Sequence, residues 1–166
     1  MKTKLFTLIC AAGISLLAGC ASQPVALSPV GPEPENHAST AGIGYLQVFS
    51  DTETHVIGDG PPYYPHTGYN IYDQSGARIK YVPNHIGNMD ESPTLVRVPA
   101  GNMKIVAESS AYGRVTVPVV IEGGRTTVVH LDREWQPSSN AASNKLVRLP
   151  DGEAVGWRDA TAQSSP

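Results

Sequence analysis

Seven short runs rich in β-branched residues, three of them with a clear two-residue hydrophobic period, fill the middle of this 166-residue chain. Gly, Pro, Asn, Asp or Ser separates the runs, a pattern typical of β-sandwiches and β-barrels. After residue 20 no ten-residue window shows helical spacing. We therefore predict an all-β fold: a single small antiparallel β-sandwich of about seven strands plus a C-terminal hairpin. The predicted strands span residues 44–50, 69–73, 78–83, 94–98, 102–109, 114–121 and 125–132.

The clearest two-residue pattern places Val115, Val117, Val119 and Ile121 on one face of a strand. Pro118 lies among them and has no backbone N–H to donate to a neighbouring strand. Prolines in sheets are confined to edges, strand starts and bulges. We therefore expect this strand to lie at a sheet edge or to carry a bulge.

Two kinds of connection separate the runs. The tight ones carry the Gly and Pro residues of hairpin turns and span 73–76, 98–101 and 122–125. The longer ones span 51–68, 84–93 and 109–113. If every connection reverses the chain direction, the two kinds lie at opposite ends of the sandwich. We therefore predict that the long loops together form one end, which is free to bind.

The long loops contain aromatic, His and acidic side chains. Long loops without structure of their own are often functional, and an aromatic side chain can stack on a sugar ring or fill a partner's pocket. The competing interpretation is that residues 61–65 fold back as a lid over the sheet edge. The loop candidates for binding are Tyr63, Tyr64, His66, His85 and Tyr112, accompanied by Asp51, Glu53, His55, Asp59, Asp90 and Glu91.

Metal binding is a more specific alternative function for the same loops. His55, His66 and His85, with carboxylates nearby, are ligand types that suit Zn²⁺. Their spacing matches no known His or Cys/His metal motif, so we predict neither a metal nor a cofactor. His130 alternates with Val128 and is expected on a half-exposed strand face.

Catalytic motifs are missing from the sequence. It contains no G-x-S-x-G elbow. Asp90 and Glu91 form a carboxylate pair, but they lie in a turn-rich segment where solvent exposure is expected, and acid–base catalysis requires a perturbed pKa. We predict that the protein is not an enzyme.

The N-terminus has the organisation of a secretory signal. Lys2 and Lys4 precede the apolar run 5–17, which is too short to span a membrane of about 30 Å. The segment 17–20, Leu-Ala-Gly-Cys, resembles the lipobox of bacterial lipoproteins. That resemblance implies that residues 1–19 are a cleaved signal peptide and that Cys20 carries fatty acyl chains such as palmitate.

The lipoprotein resemblance also implies a location. Two or more acyl chains anchor a protein stably. By similarity to sorted lipoproteins, Ala21 and Ser22 indicate the outer membrane, facing the periplasm, if the host is Gram-negative. The other cysteine, Cys10, would leave with the signal, so the mature chain would hold no internal disulfide.

Charge and composition divide the remaining chain. Without Lys2 and Lys4 the basic side chains fall from twelve to ten against fifteen acidic ones, a formal net charge of −5. No basic stripe is present, so nucleic acid is not an expected partner.

The predicted boundaries are a Pro-rich tether over 20–42, the sandwich over 43–132, a linker over 133–145, the hairpin over 146–159 and a disordered tail over 160–166.

Three segments of the sandwich region resemble a known type of domain. IYDQSGARIKYV, LVRVPAGNMKIVAES and VTVPVVIEGGRTTVVHL follow each other between residues 71 and 131. Their order is similar to the small β-domains of the PEGA and carboxypeptidase-regulatory (transthyretin-like) type, with a P-x-G turn and then a Gly-rich turn. The resemblance implies a non-catalytic accessory domain that binds an envelope polymer or protein.

The C-terminal residues 146–158 read as a hairpin around the turn 150–152. A lone hairpin is marginally stable in water, so we expect it to pack on the sandwich, extend a sheet edge or await a partner. Trp157 is a candidate docking anchor or, alternatively, a cover for the domain's own core.

Three functions are compatible with the sequence. The first is a lipid-anchored, non-catalytic module that binds an envelope protein or glycan through its long-loop end. The second is a structural subunit whose C-terminal hairpin adds a strand to another chain. The third is a metal-dependent hydrolase.

Overall fold

The computed structural model describes residues 27–34, 42–87 and 89–159. It confirms an all-β sandwich, and each of the seven predicted strands is present. One short 3₁₀ turn, Ser143–Lys145, precedes the C-terminal hairpin. The strands are β1 Val30–Gly31, β2 Ile43–Phe49, β3 Tyr69–Tyr72, β4 Arg78–Val82, β5 Val96–Pro99, β6 Gly101–Ser109, β7 Gly113–Ile121, β8 Thr126–His130, β9 Leu146–Arg148 and β10 Ala154–Arg158.

The strands form two sheets that enclose one hydrophobic core. The larger sheet has the order β4-β3-β6-β7-β1-β10-β9, and the smaller has the order β5-β2-β8. Most neighbours are antiparallel, but β1 with β7 and β2 with β8 are parallel. Both sheets contribute fully buried side chains to the core, for example Leu46 and Val48 from one and Ile105 and Val117 from the other.

The longest hairpin, β6–β7, follows the alternation of the sequence. Val117, Val119 and Ile121 are buried, and Val115 packs against the same core. The expectation that Pro118 marks an edge or a bulge is wrong, because β7 lies between β6 and β1 and its register with β6 is continuous. The missing N–H is tolerated because β1 is only two residues long and meets β7 at a single pair, Val30 with Val119.

Glycines with positive φ make the tight connections. Gly76 (φ 87°) closes the β3–β4 hairpin, whereas Gly101 (φ 139°) and Gly124 (φ 73°) lie in links that pass from one sheet to the other. The connection at 109–113, predicted to be long, is also a tight hairpin turn, with Gly113 at φ 63°. L-residues rarely adopt these φ values, which explains the glycines.

The strand directions place the connections at two ends. The turns near 100 and 124 are joined to the start of β2, where the N–H groups of Ala100 and Gly124 donate to the carbonyls of Gly42 and Ile43. At the opposite end, the Asp51 N–H donates to the Glu108 carbonyl. We call this second end, formed by residues 50–68, 83–95 and 110–112, the loop end.

Part of the predicted tether belongs to the fold. Val30 is fully buried, and β1 pairs with both β7 and β10. Two residues are too few to show a period, and nonlocal packing alone makes them a strand. The described residues do not include the signal peptide or Cys20. They also leave out residues 21–26 and 35–41 of the tether and the tail 160–166.

The predicted hairpin forms and packs on the sandwich. β10 pairs antiparallel with β1, so the hairpin extends the larger sheet, and Val147, Leu149 and Val155 join the core. The segment 133–145 is not a free linker. It carries Arg133, whose Nε lies 3.3 Å from a Glu153 carboxylate oxygen, and Trp135, which packs on the sandwich.

Within the described ranges, no helix is long and apolar enough to cross a membrane.

Candidate functional site

The first candidate surface is an arm at the loop end, formed by residues 51–67. Antiparallel bridges join Thr52 to His66 and His55 to Tyr63, so the segment is a narrow two-stranded excursion. The expectation of a loop without its own structure is therefore corrected. Its tip, residues 56–62, is exposed throughout.

A buried asparagine fixes the base of the arm. Asn84 is fully buried, and its amide donates to the carbonyls of Val48 (2.9 Å) and Thr67 (3.2 Å) and to Ser50 Oγ (2.9 Å). Its Oδ1 accepts from the N–H of Thr94 (3.2 Å). The side chain thus connects a core strand, the arm and the loop 83–95.

Further hydrogen bonds hold the three loops together. The Tyr64 N–H donates to the Glu91 carboxylate at 2.6 Å, which links the arm to the loop 83–95. Ser110 Oγ donates to Asp51 Oδ1 at 2.6 Å, which links the arm to the β6–β7 turn. The loop end is therefore braced on the sandwich.

Apolar side chains project from this braced backbone. Ile86 and Met89 are 75% and 74% exposed, and Val56 is 57% exposed. They are the three most exposed of the large apolar side chains that the structure describes, and apolar surface concentrated in one region marks an interaction site. The other large apolar side chains exposed here are Ile57, Tyr64, Leu95 and Tyr112.

The charge of the loop end has one sign. Its three segments contain five acidic residues and neither Lys nor Arg. Backbone N–H groups of Ser92 and Ile86 lower the pKa of Asp90, so this carboxyl stays ionised. A lowered pKa is opposite to the shift that a general acid needs at neutral pH.

The five predicted loop residues lie in different environments. Tyr64 and Tyr112 are exposed, at 47% and 43%. Tyr63 is half-buried against the ring of His55. His66 is buried and its Nδ1 lies 2.6 Å from the Ser50 carbonyl, while His85 Nδ1 lies 2.7 Å from the Gly87 carbonyl. The two tyrosines are available to a partner, and His66 belongs to the fold.

Residues 61–65 belong to the arm, and this corrects the interpretation of these residues as a lid over the sheet edge.

Within the described part of the chain, no three His, Cys, Asp or Glu side chains are grouped so that they could hold a metal ion.

The second candidate surface is an aromatic groove beside β8. A row of rings begins on the smaller sheet, where His130 stacks between Phe49 and Trp135 with centroid distances of 4.6 Å on both sides. Trp157 meets Trp135 edge-on at 6.1 Å. The groove encloses about 450 Å³ and is lined by Pro32, Glu33, Gly124, Arg125, Thr126, Val128, His130, Trp135, Gly156 and Trp157.

His130 is half-buried, as its strand position predicted. Burial of the ring, assisted by nearby His66, lowers its pKa from 6.5 to about 4. The imidazole is therefore neutral at physiological pH.

Arg125 closes one end of the groove. Its guanidinium donates to the Glu122 carboxylate and to the backbone carbonyl of Glu33. This contact ties the segment after β1 to the β7–β8 turn.

Trp157, the sixth predicted candidate, lies in this groove and not at the loop end. Sequence reasoning missed its neighbours Trp135 and Arg125. A signal was present for Trp135, because a large aromatic residue in an otherwise small and polar segment implies a docking contact. Arg125 gave none, since its role depends on a segment more than ninety residues away.

Comparison of the chain with protein-family models, with curated proteins and with solved structures finds no match.

Proposed function

We propose that this chain is a lipid-anchored, non-catalytic module of the bacterial envelope that binds a partner protein through its loop end. The observation that carries the proposal is the group of exposed apolar side chains on a hydrogen-bonded loop framework. Rigid loops lose little conformational entropy on binding, so less of the free energy gained from their contacts is offset by the cost of ordering them.

A protein fits this surface better than a glycan does. Ile86, Met89, Val56 and Ile57 are aliphatic, and their exposed faces would contribute by removing apolar area from water. A sugar ring gains little from aliphatic side chains. The five surrounding carboxylates favour a partner with basic residues around an apolar centre, and this binding would weaken with salt.

The lipobox supports attachment of the module to a membrane. Nine residues separate Cys20 from Val30, the first residue of β1. Even fully extended they would span only about 30 Å. A partner of a module lipidated at Cys20 would therefore lie close to the membrane surface or be anchored in it. The resemblance to PEGA and carboxypeptidase-regulatory domains supports the same accessory role.

The proposal is tested by the size of the protein after mild detergent extraction. We expect the wild-type chain to migrate as a complex, and Ile86→Asp with Met89→Asp to shift it to the monomer. Ile79→Asp is the matched control, because Ile79 is an exposed isoleucine on β4, outside the loop end. A wild-type monomer, or equal loss with Ile79→Asp, would contradict the proposal.

A second candidate function is strand addition at the C-terminal hairpin. β9 is one of the two edge strands of the larger sheet, and no strand of the described ranges pairs with its outer edge, which is therefore open to another chain. The apolar side of the hairpin is already committed to the domain's core. Strand addition would therefore depend on the backbone of three residues, and we favour the loop end.

A further inference from the structure

None of the residues that line the aromatic groove belongs to the loop end, and the groove has no part in the function proposed above. Its volume of about 450 Å³ lies within the range of roughly 300–1,000 Å³ that is typical of small-ligand sites. Both tryptophans of the chain line it. A half-exposed tryptophan leaves part of a large apolar ring in water, which is unfavourable unless the ring covers a core or contacts a ligand.

The groove is held open by contacts within the fold. Trp135 stacks on His130 with an interplanar angle of 10°, and Trp157 meets Trp135 at 70°. The Arg125 guanidinium donates to the Glu33 carbonyl and so joins two segments of the lining. A ligand would therefore meet preformed walls and would not have to order them.

The charges in the groove do not select an ionic ligand. Arg125 is already paired with Glu122, and the acidic residue Glu33 is exposed at the lining of the groove. With a neutral His130 ring, the described lining residues leave no unpaired positive charge for a phosphate or carboxylate. A cationic ligand would in turn approach the Arg125 guanidinium.

Besides Pro32, Val128 and the neutral His130 ring, the lining holds two indole rings and two residues, Thr126 and Glu33, whose side chains carry oxygen atoms. An uncharged pyranose has an apolar C–H face and hydroxyls at its rim. An indole face suits the first, and hydroxyl and carboxylate oxygens suit the second, since both accept hydrogen bonds from sugar hydroxyls. The groove thus offers one partner for each part of such a ring.

We infer that the aromatic groove binds an uncharged pyranose unit of a glycan, which stacks on an indole ring and hydrogen-bonds to Thr126 and Glu33. A module that holds a protein at the loop end could in this way also contact an envelope polysaccharide along its side.

The test uses the two indole N–H signals in two-dimensional NMR of the full mature chain, in a detergent without a sugar headgroup. Because both tryptophans lie in the groove, these signals report on it alone. Cellobiose and N,N′-diacetylchitobiose are the probes, with choline and citrate as charged comparisons. We expect a saturable shift of both signals at millimolar sugar.

Variants separate the site from general effects. Thr126→Val should weaken sugar binding about three- to tenfold through the lost hydrogen bond, and Ile79→Asp should leave it unchanged. Sugar binding does not need the loop-end partner, so its failure and that of the proposed protein contact are separate results. Unshifted indole signals with both sugars, or a shift with choline or citrate alone, would overturn the inference, as would full affinity in Thr126→Val.

Discussion

His130 illustrates how the environment of one residue sets its chemistry. Its imidazole lies between the rings of Phe49 and Trp135 and is half-buried. Burial favours the neutral form and lowers the pKa to about 4. The opposing effect is the attraction of an imidazolium to an aromatic face. A measured pKa decides between the two effects.

We predict that the His130 pKa is near 4 in the folded protein, measured by NMR titration of the imidazole C–H signals. The unfolded chain binds the proton near pH 6.5, so the stability that the neutral ring contributes is present above that pH. It is lost as the pH falls from 6.5 towards 4, and we expect a loss of about 1 kcal/mol, given that the ring is only half-buried.

His130→Phe, which keeps the stack without the titrating group, should remove this part of the pH dependence. A His130 pKa at or above 6.5 would show that attraction to the aromatic faces exceeds the cost of burial.

Asn84 is the residue on which the loop end depends most. It has φ 70°, a left-handed conformation that Asn and Gly tolerate best, and its amide joins three segments. We predict that Asn84→Gly lowers the free energy of unfolding by about 2–3 kcal/mol, measured by urea denaturation. Glycine accepts the same φ, so the loss reports on the hydrogen bonds. A change below about 0.5 kcal/mol would mean that water replaces the amide.

At the scale of elements, the attachment of the C-terminal hairpin depends on a glycine. A Cβ at Gly156 would lie 2.5 Å from Val30 Cγ1 and 2.9 Å from the Val128 carbonyl oxygen. The absence of a side chain there lets β10 lie against both β1 and β8.

We predict that Gly156→Ala destabilises the protein by about 1–3 kcal/mol, because β10 must move away from its neighbours. Gly42→Ala is the matched control, since a Cβ there would meet nothing within 4 Å. Thermal unfolding of both variants checks the prediction. Equal stability of the two would indicate that the hairpin adjusts without cost.

The strands that the sequence predicted are those with their own two-residue period. β6 and β7 are long enough to show it, and they were located to within one residue. β1 could not be predicted because only its burial between β7 and β10 makes it a strand. The arm was missed for a related reason: bridges such as His55 with Tyr63 join residues without any alternating pattern.

The residues of the candidate sites were likewise predictable only in part. Tyr64 and Tyr112 were predictable as exposed loop aromatics, because loops project their large side chains unless the core takes them. His66 was indistinguishable from them in sequence, yet its ring turns inward to Phe49 and the Ser50 carbonyl. The groove around Trp157 brings together residues far apart in sequence, and their proximity follows from sheet order alone.

At the scale of the whole molecule, the sandwich separates two surfaces. The loop end is apolar and acidic, and the groove along β8 is aromatic and close to balanced in charge. A short lipid-anchored tether would hold both near a membrane. A small domain with these two surfaces suits a role in connecting envelope components.

Site-specific photocrosslinking in living cells shows whether the loop end is the surface that binds a partner protein. A benzophenone residue replaces Ile86 at the loop end or, as the control, Ile79 on β4. We expect a defined adduct with one protein from Ile86 and none from Ile79. The same adducts from both positions, or none from Ile86, would contradict the assignment of the loop end as the binding surface.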